Sequence, residues 1–514
     1  MAPCIRRLFS AALACLTFSA CGGVKDPPKE PEPICSEQLA DGTCVGLTYP
    51  VICHADVCAE GVACERTYHV DAHAGGAADG SSGAPFLALT DAAEVAVAGD
   101  CIVVKAGRYS ALSLAGGVSL LGSGAANVSI VGSSDTPALS IKDGQGGWIR
   151  GLTLSGEGRG LSLLRVKKIQ VEQVVIDGVR EVGLDIRQST AVTLTHVSVR
   201  GCRGNVAGEF GVGVVLADGS MADFNRVVVA ESAAEGILVA EAGLTLKDAK
   251  ILRNGVSGVS IACVVAEGCG DSLISTLEGV ELSGNQHVSL LIRGATVRAT
   301  KLDVTHTQQA KGTLARAVEV QDGASVEISE SWVHHNQGMG ILIDRSTGKL
   351  QGNRIEENAE RGIWLQSIGQ GFELLNNDVL KNQLVGIGML SSVKVRVMGG
   401  QVMSTAEKAF LNNADTIVVG DGLQILDGSE ATVSGVHIGE NDRVALLVDA
   451  STSTVRDCTL DGGEAALIVQ NALISEQSFV NNQRESGAAL QPVSPQIPYA
   501  IGIAPISVSP LPLP

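Results

Sequence analysis

Along the middle of the chain, apolar and polar residues alternate one by one, as in Val326/Ile328 and Leu244/Leu246. A period of two predicts strands rather than helices. Five strands open alike: Gly236-Ile-Leu-Val239, Gly258-Val-Ser-Ile261, Gly340-Ile-Leu-Ile343, Gly362-Ile-Trp-Leu365 and Gly386-Ile-Gly-Met389. The spacing is 22 residues from Gly236 to Gly258 and from Gly340 to Gly362, and 24 from Gly362 to Gly386. An asparagine stands four residues before most of these glycines: Asn254, Asn336, Asn358 and Asn382. A period of this length marks a repeat architecture. Two or three short strands per repeat, parted by Gly, Asn, Asp or Ser, make one coil of a parallel β-solenoid. The fixed leucine frame of leucine-rich repeats is absent. Coils bury their inner faces only by stacking. Glycine and asparagine are expected at the turns because both tolerate left-handed backbone, and stacked asparagines can hydrogen-bond as a ladder.

Composition agrees. The 514 residues are 45% hydrophobic and 3% aromatic, with 62 glycines, which suits a narrow solenoid filled with Val, Ile, Leu and Ala. A net charge of −18 argues against nucleic acid and against electrostatic docking on anionic membrane.

Residues 1–20 have a basic start at Arg6 and Arg7 and an apolar run from Leu8 to Phe18, the pattern of a secretory signal. Phe18-Ser19-Ala20-Cys21 resembles a bacterial lipobox, with phenylalanine where leucine is usual; the resemblance implies lipidation of Cys21 and an outer-membrane anchor, with plain secretion as the alternative. No later stretch is long and apolar enough to span a bilayer. Residues 21–34 read as a proline-rich tether. Residues 35–68 form a cysteine-rich segment in an oxidising compartment. Cys35, Cys44, Cys53, Cys58 and Cys64 with Cys101 offer three bridges of open pairing, Cys263 and Cys269 staple one loop, and Cys202 and Cys458 are expected as buried thiols.

The stretch Asp71-Ala-His-Ala-Gly75-Gly76, Asp79-Gly80-Ser-Ser-Gly83-Ala-Pro85-Phe86, an apolar run from Leu87 to Ala98, and Gly99-Asp100-Cys-Ile102-Val103-Val104-Lys-Ala-Gly107 resembles the opening of secreted right-handed parallel β-helix proteins, the superfamily of pectate lyases and polygalacturonases. The resemblance implies an all-β, single-stranded right-handed parallel β-helix over residues 69–485, of roughly fifteen coils, capped by a helix near 87–98. Intervals of 30 residues from Gly183 to Gly213 and 31 from Gly258 to Ser289 mark loops, as does the run between Val304 and Ala317. The insertions at 201–212 and 306–316 should leave one corner. Residues 486–514 are proline-rich and stop the solenoid, leaving a tail that is disordered or lies across the open end.

The superfamily's hydrolase signatures, Asn-Thr-Asp, Asp-Asp, Gly-His-Gly and Arg-Ile-Lys, are absent, and no carboxylate cluster stacks over three coils as a calcium-dependent lyase would need. Aligning Val304-Thr-His306, Val333-His-His335 and Ile355-Glu-Glu357 puts His306, His335 and Glu357 in one column, with His334 and Glu356 beside it and Lys381 next. Such a column could take a divalent metal or serve as acid and base. The favoured reading is a solvated polar edge beside the asparagine turn, where outward residues are free to vary. His69, Asp71 and His73 form a second polar group, expected to be structural. No calcium or zinc motif is recognisable, and no cofactor is expected. The expectation is a monomeric cell-surface scaffold that meets extracellular polysaccharide or a surface protein without catalysis; the alternative is a polysaccharide lyase or hydrolase.

Overall fold

The computed structural model describes residues 62–484, apart from 206, 264–268, 270–272, 311–313, 413–414 and 473–475, together with Ile34–Cys35 and Leu47–Thr48. The expected signal, Cys21, the tether, Cys35, Cys44, Cys53, Cys58 and the tail 486–514 lie outside the described residues, save for the backbone of Ile34–Cys35 and Leu47–Thr48.

Each coil in the middle of the chain carries three strands. One coil runs through Ser325–Ser329, Trp332–His334 and Met339–Asp344, and the next through Thr347–Gln351, Arg354–Glu356 and Ile363–Gln366. Pairing is parallel and in step, Ser325 with Thr347, Trp332 with Arg354 and Ile341 with Ile363. The constant offset of 22 residues is the sequence period seen as stacking. In some coils the first two strands run together, as in Phe372–Leu380 and Val395–Met403. The third strands form one parallel sheet of fifteen members, from Leu112–Ala115 to Ala465–Gln470.

On the first strands the period of two does what it predicts. Val326 and Ile328 are buried between outward Ser325, Glu327 and Ser329. The third strands differ: Val212–Ala217, Arg316–Gln321, Met339–Asp344 and Val444–Asp449 are buried at every position. Their inner residues join the continuous core, and their outer residues are covered as well.

The turn expectation needs correcting. The repeated glycines are not left-handed. At Gly236 an added Cβ would lie 2.6 Å from the Gly258 carbonyl oxygen and 2.6 Å from Asn254 Nδ2, so glycine is there because the next coil is too close. The left-handed residue is the one before each asparagine: Arg253, His335, Glu357 and Lys381 have φ of 50°, 52°, 52° and 52°. The expected asparagine ladder is present. Asn336 Nδ2 donates to Asn358 Oδ1 (2.8 Å) and Asn358 Nδ2 to Asn382 Oδ1 (2.9 Å). The same oxygens accept the Asn336 and Asn358 backbone N–H groups. Asn353 and Asn377 build a second ladder at the preceding corner.

The solenoid opens with Thr67–Val70 paired to Cys101–Val104. A short helix, α1 (Leu89–Val95), buries Leu89 and Ala92 against the first coil. It is shorter than the apolar run 87–98 because Asp100 accepts the Val97 N–H (2.9 Å) and Ala96 is already extended. Buried Asp100 also takes a two-pronged bond from Arg66 (3.0 and 2.8 Å), which holds its carboxyl below the usual carboxylate range. Disulfides join Cys64 to Cys101 and Cys263 to Cys269, while Cys202 and Cys458 are buried free thiols. Burial pushes the Cys202 thiol up to about 12. The loops at 201–211 and 306–315 both fall between a second and a third strand, at one corner.

Candidate functional site

The aligned column forms at that corner. His306, His335, Glu357 and Lys381 occupy successive left-handed positions, φ 54°, 52°, 52° and 52°. Their side chains point outward because the next residue, Thr307, Asn336, Asn358 or Asn382, is buried to build the ladder. His335 Nε2 pairs with Glu357 Oε2 (2.7 Å), and Glu357 Oε1 with Lys381 Nζ (3.5 Å). The His306 ring stacks parallel to His335, centroids 6.0 Å apart, and its Nδ1 bonds Thr305 Oγ1 (2.8 Å). Stacking thus brings the three candidates together in series along the axis, each held by its coil neighbour, and they do not converge on one point. Among the described residues no group of three His, Cys, Asp or Glu side chains is disposed to hold a metal ion.

Beside this column the second strands present Trp332 and His334 outward, with Val333 inward. His334 Nδ1 meets His335 Nδ1 (2.7 Å), a contact that needs one proton between the rings, and His334 Nε2 meets Asp303 Oδ1 (2.9 Å). Trp332 lies over His334, ring centroids 3.6 Å apart. Its indole N–H donates to Glu356 Oε1 (2.7 Å), and Arg354 Nη2 donates to Glu356 Oε2 (2.6 Å). Burial opposes ionisation of Glu356, but these donors outweigh it and hold its carboxyl below the ordinary value.

Trp332 remains 41% exposed, a large aromatic surface on the outside of a chain with three tryptophans. In register it stands between Asp303 and Arg354, both exposed at their polar ends. The column reading missed Trp332, Asp303 and Arg354, because it followed His and Glu at the turn. The available signal was a tryptophan at an outward position of the alternation, where the flanking coils carry Asp303 and Arg354. His69, Asp71 and His73 sit at the capping end. Asp71 accepts the His73 N–H (2.9 Å) and pairs with Lys105 (3.3 Å), bonds internal to the cap.

Residues 235–402 match the family model of the right handed beta helix region. No curated protein matches the chain. Solved structures similar to it include the A-module of Azotobacter vinelandii mannuronan C-5 epimerase AlgE6, at 14% identity over 77% of this chain and 93% of that one, TM-score 0.31. The periplasmic alginate epimerase AlgG is 12% identical over 78% and 83%, TM-score 0.33. Tailspike protein 3 of bacteriophage CBA120 is 13% identical over 70% and 56%, TM-score 0.41. Parallel three-strand coils, with this match over residues 235–402, make the solenoid a right-handed parallel β-helix.

Proposed function

We propose that the chain is a surface scaffold whose Trp332 ledge binds carbohydrate without catalysis. The observation that carries this reading is the exposed indole set among Asp303, His335, Arg354, Glu357 and Lys381. An aromatic plane edged by hydrogen-bonding groups matches the two sides of a sugar ring, apolar C–H on one and hydroxyls on the other. Binding is favoured over chemistry because the acids and bases of the ledge are engaged with one another. Glu357 is shared between His335 and Lys381, Glu356 between Trp332 and Arg354, and His334 faces Asp303.

The test is retention of the mature chain on a panel of polysaccharides, including alginate, mannuronan, polygalacturonate and an α-1,3-glucan. Binding of one polymer is expected, weakened roughly tenfold in Trp332→Ala, since a stacked aromatic contributes on the order of 0.5–1.5 kcal/mol beyond its buried area. Unchanged retention in Trp332→Ala would sink the ledge. Release of reducing ends or unsaturated products would replace the scaffold with an enzyme.

The anchoring of this scaffold through lipidated Cys21, on an outer membrane, is part of the same proposal and rests on the Phe18-Ser19-Ala20-Cys21 sequence. Cys21→Ala is expected to move the protein from the detergent phase to the aqueous phase on phase partition. Equal partition of both forms would remove the anchor.

A further inference from the structure

We infer that His334 and His335 are bridged by one shared proton, and that loss of this proton as the pH rises loosens the seat of Trp332. Only the consequence for glycan binding rests on the Trp332 ledge proposed above.

The two rings meet because of the turn. His334 ends a second strand on its outward side, and simple alternation would send His335 inward. The left-handed backbone of His335, φ 52°, reverses the alternation, so two consecutive side chains lie on one side. Three contacts then fix the proton count. His334 Nε2 faces Asp303 Oδ1 (2.9 Å) and His335 Nε2 faces Glu357 Oε2 (2.7 Å). An ionised carboxylate only accepts, so both Nε2 atoms carry hydrogen. The two Nδ1 atoms face each other at 2.7 Å, which requires one hydrogen between them. Two neutral imidazoles bring two ring hydrogens, and the contacts need three. The pair is therefore a monocation spread over both rings.

Taking the third hydrogen away breaks a contact in either tautomer. If both Nε2–H bonds stay, two lone pairs oppose each other across the Nδ1 gap. If a hydrogen moves to Nδ1, one carboxylate faces a bare nitrogen instead. The ring free to swing away is His335, whose side chain is 47% exposed, against 9% for His334. His334 is clamped beneath the indole of Trp332, with the ring planes 19° from parallel. A cation under an aromatic face is attracted to it electrostatically, and that attraction goes with the charge. Losing the proton thus releases one edge of the ledge and weakens the hold on its aromatic plane.

The other polar groups around the pair are accounted for. The preceding coil supplies Asp303, the Thr305 hydroxyl at 3.4 Å from His334 Nδ1, and His306 stacked on His335. The next coil supplies Glu357, Glu356 and Arg354, and the one beyond it Lys381. Burial opposes ionisation of Glu356, but Arg354 and Trp332 hold its carboxyl below the ordinary value, so it does not exchange a proton in the imidazole range. Of these groups His306 alone shares the chemistry of the pair, and it serves as the control.

The indole N–H resonance of Trp332 reports the test, in the mature chain carrying nitrogen-15 tryptophan and assigned by its loss in Trp332→Phe. From about pH 5 to about pH 9 it is expected to move in one single-proton step. His335→Asn keeps a residue that accepts left-handed backbone and removes the partner ring. It should lower the midpoint by about one pH unit, the worth of a hydrogen bond to a charged group. His306→Asn should leave the midpoint in place. A polymer retained by the parent should be held roughly threefold more weakly at the alkaline end than at the acid end. A resonance that stays put, or a midpoint that His335→Asn leaves unmoved, overturns the shared proton, as does a step that vanishes in His306→Asn. Equal retention at both ends overturns its coupling to the ledge. A resonance that titrates as stated while no polymer is retained at any pH upholds the shared proton and sinks the ledge; retention with a resonance that stays put does the reverse.

Discussion

At the corner of each coil two adjacent residues have opposite tasks. Asn358 is 1% exposed and links three coils, accepting from Asn336 N–H and Nδ2 while its Nδ2 donates to the Val333 carbonyl oxygen and to Asn382 Oδ1. Glu357 beside it faces solvent and holds His335 and Lys381 by exposed ion pairs. Removing a buried hydrogen-bonding group strands its partners at a cost of about 1–3 kcal/mol, whereas exposed ion pairs contribute ~1 kcal/mol or less. Asn358→Ala should therefore lower the thermal midpoint by several degrees, and Glu357→Ala should leave it within about a degree or two, read by calorimetry. Equal losses would mean the ladder is not the stabilising element at this corner. The asparagines were legible in the sequence because they recur four residues ahead of the glycines. The reason for the glycines was not legible, since a close approach between coils leaves the same mark as a left-handed turn. The column His306, His335 and Glu357 was aligned correctly by its core residues. Its lack of convergence was not legible, because alignment gives the coil and not the direction of a side chain.

At the level of the strand, the third sheet departs from simple amphipathic logic, and the sequence carried the sign. Gly340-Ile-Leu-Ile343 and Gly362-Ile-Trp-Leu365 place apolar residues at outward as well as inward positions, a pattern of strands buried on both faces. What lies on the outer side cannot be read from the strand itself. Glu235, at the entry to one such strand, is 2% exposed with Oε2 unpartnered, and burial raises its carboxyl above the usual value. A carboxyl raised on folding lets the unfolded chain ionise first, so stability is complete below the unfolded value of about 4.3 and is lost as pH rises through the folded one. Glu235→Gln should thus melt higher than the parent at pH 8, with the difference closing toward pH 4. A parent that melts as high as the variant at pH 8 would show that Glu235 finds a partner for its charge.

Across the whole molecule the number of coils, near fifteen, was readable from length divided by period, because each coil advances the chain by one nearly constant unit. The same regularity makes coils removable. Deleting residues 340–361 joins Met339 to Gly362, which already takes the place of Gly340 one coil later. The shortened chain should stay folded and monomeric with an unchanged β spectrum, since each coil contacts only its neighbours. Deleting residues 340–350 breaks the register and should give aggregate on gel filtration. If both deletions behave alike, stacking register is not what organises the rod.

The Cys64–Cys101 bridge has a mechanical consequence. A pull along the chain from its far end would unspool the rod one turn at a time, each 22-residue coil paying out about 75 Å of slack. The bridge ties the strand Cys101–Val104 to the segment that precedes Thr67–Val70, and so closes a covalent loop around the helical cap. Unspooling must halt there, and the 37-residue interval between the two cysteines stays out of reach of the force. A stretched molecule would keep its capped first turn as a template on which the remaining turns rewind when the load is released.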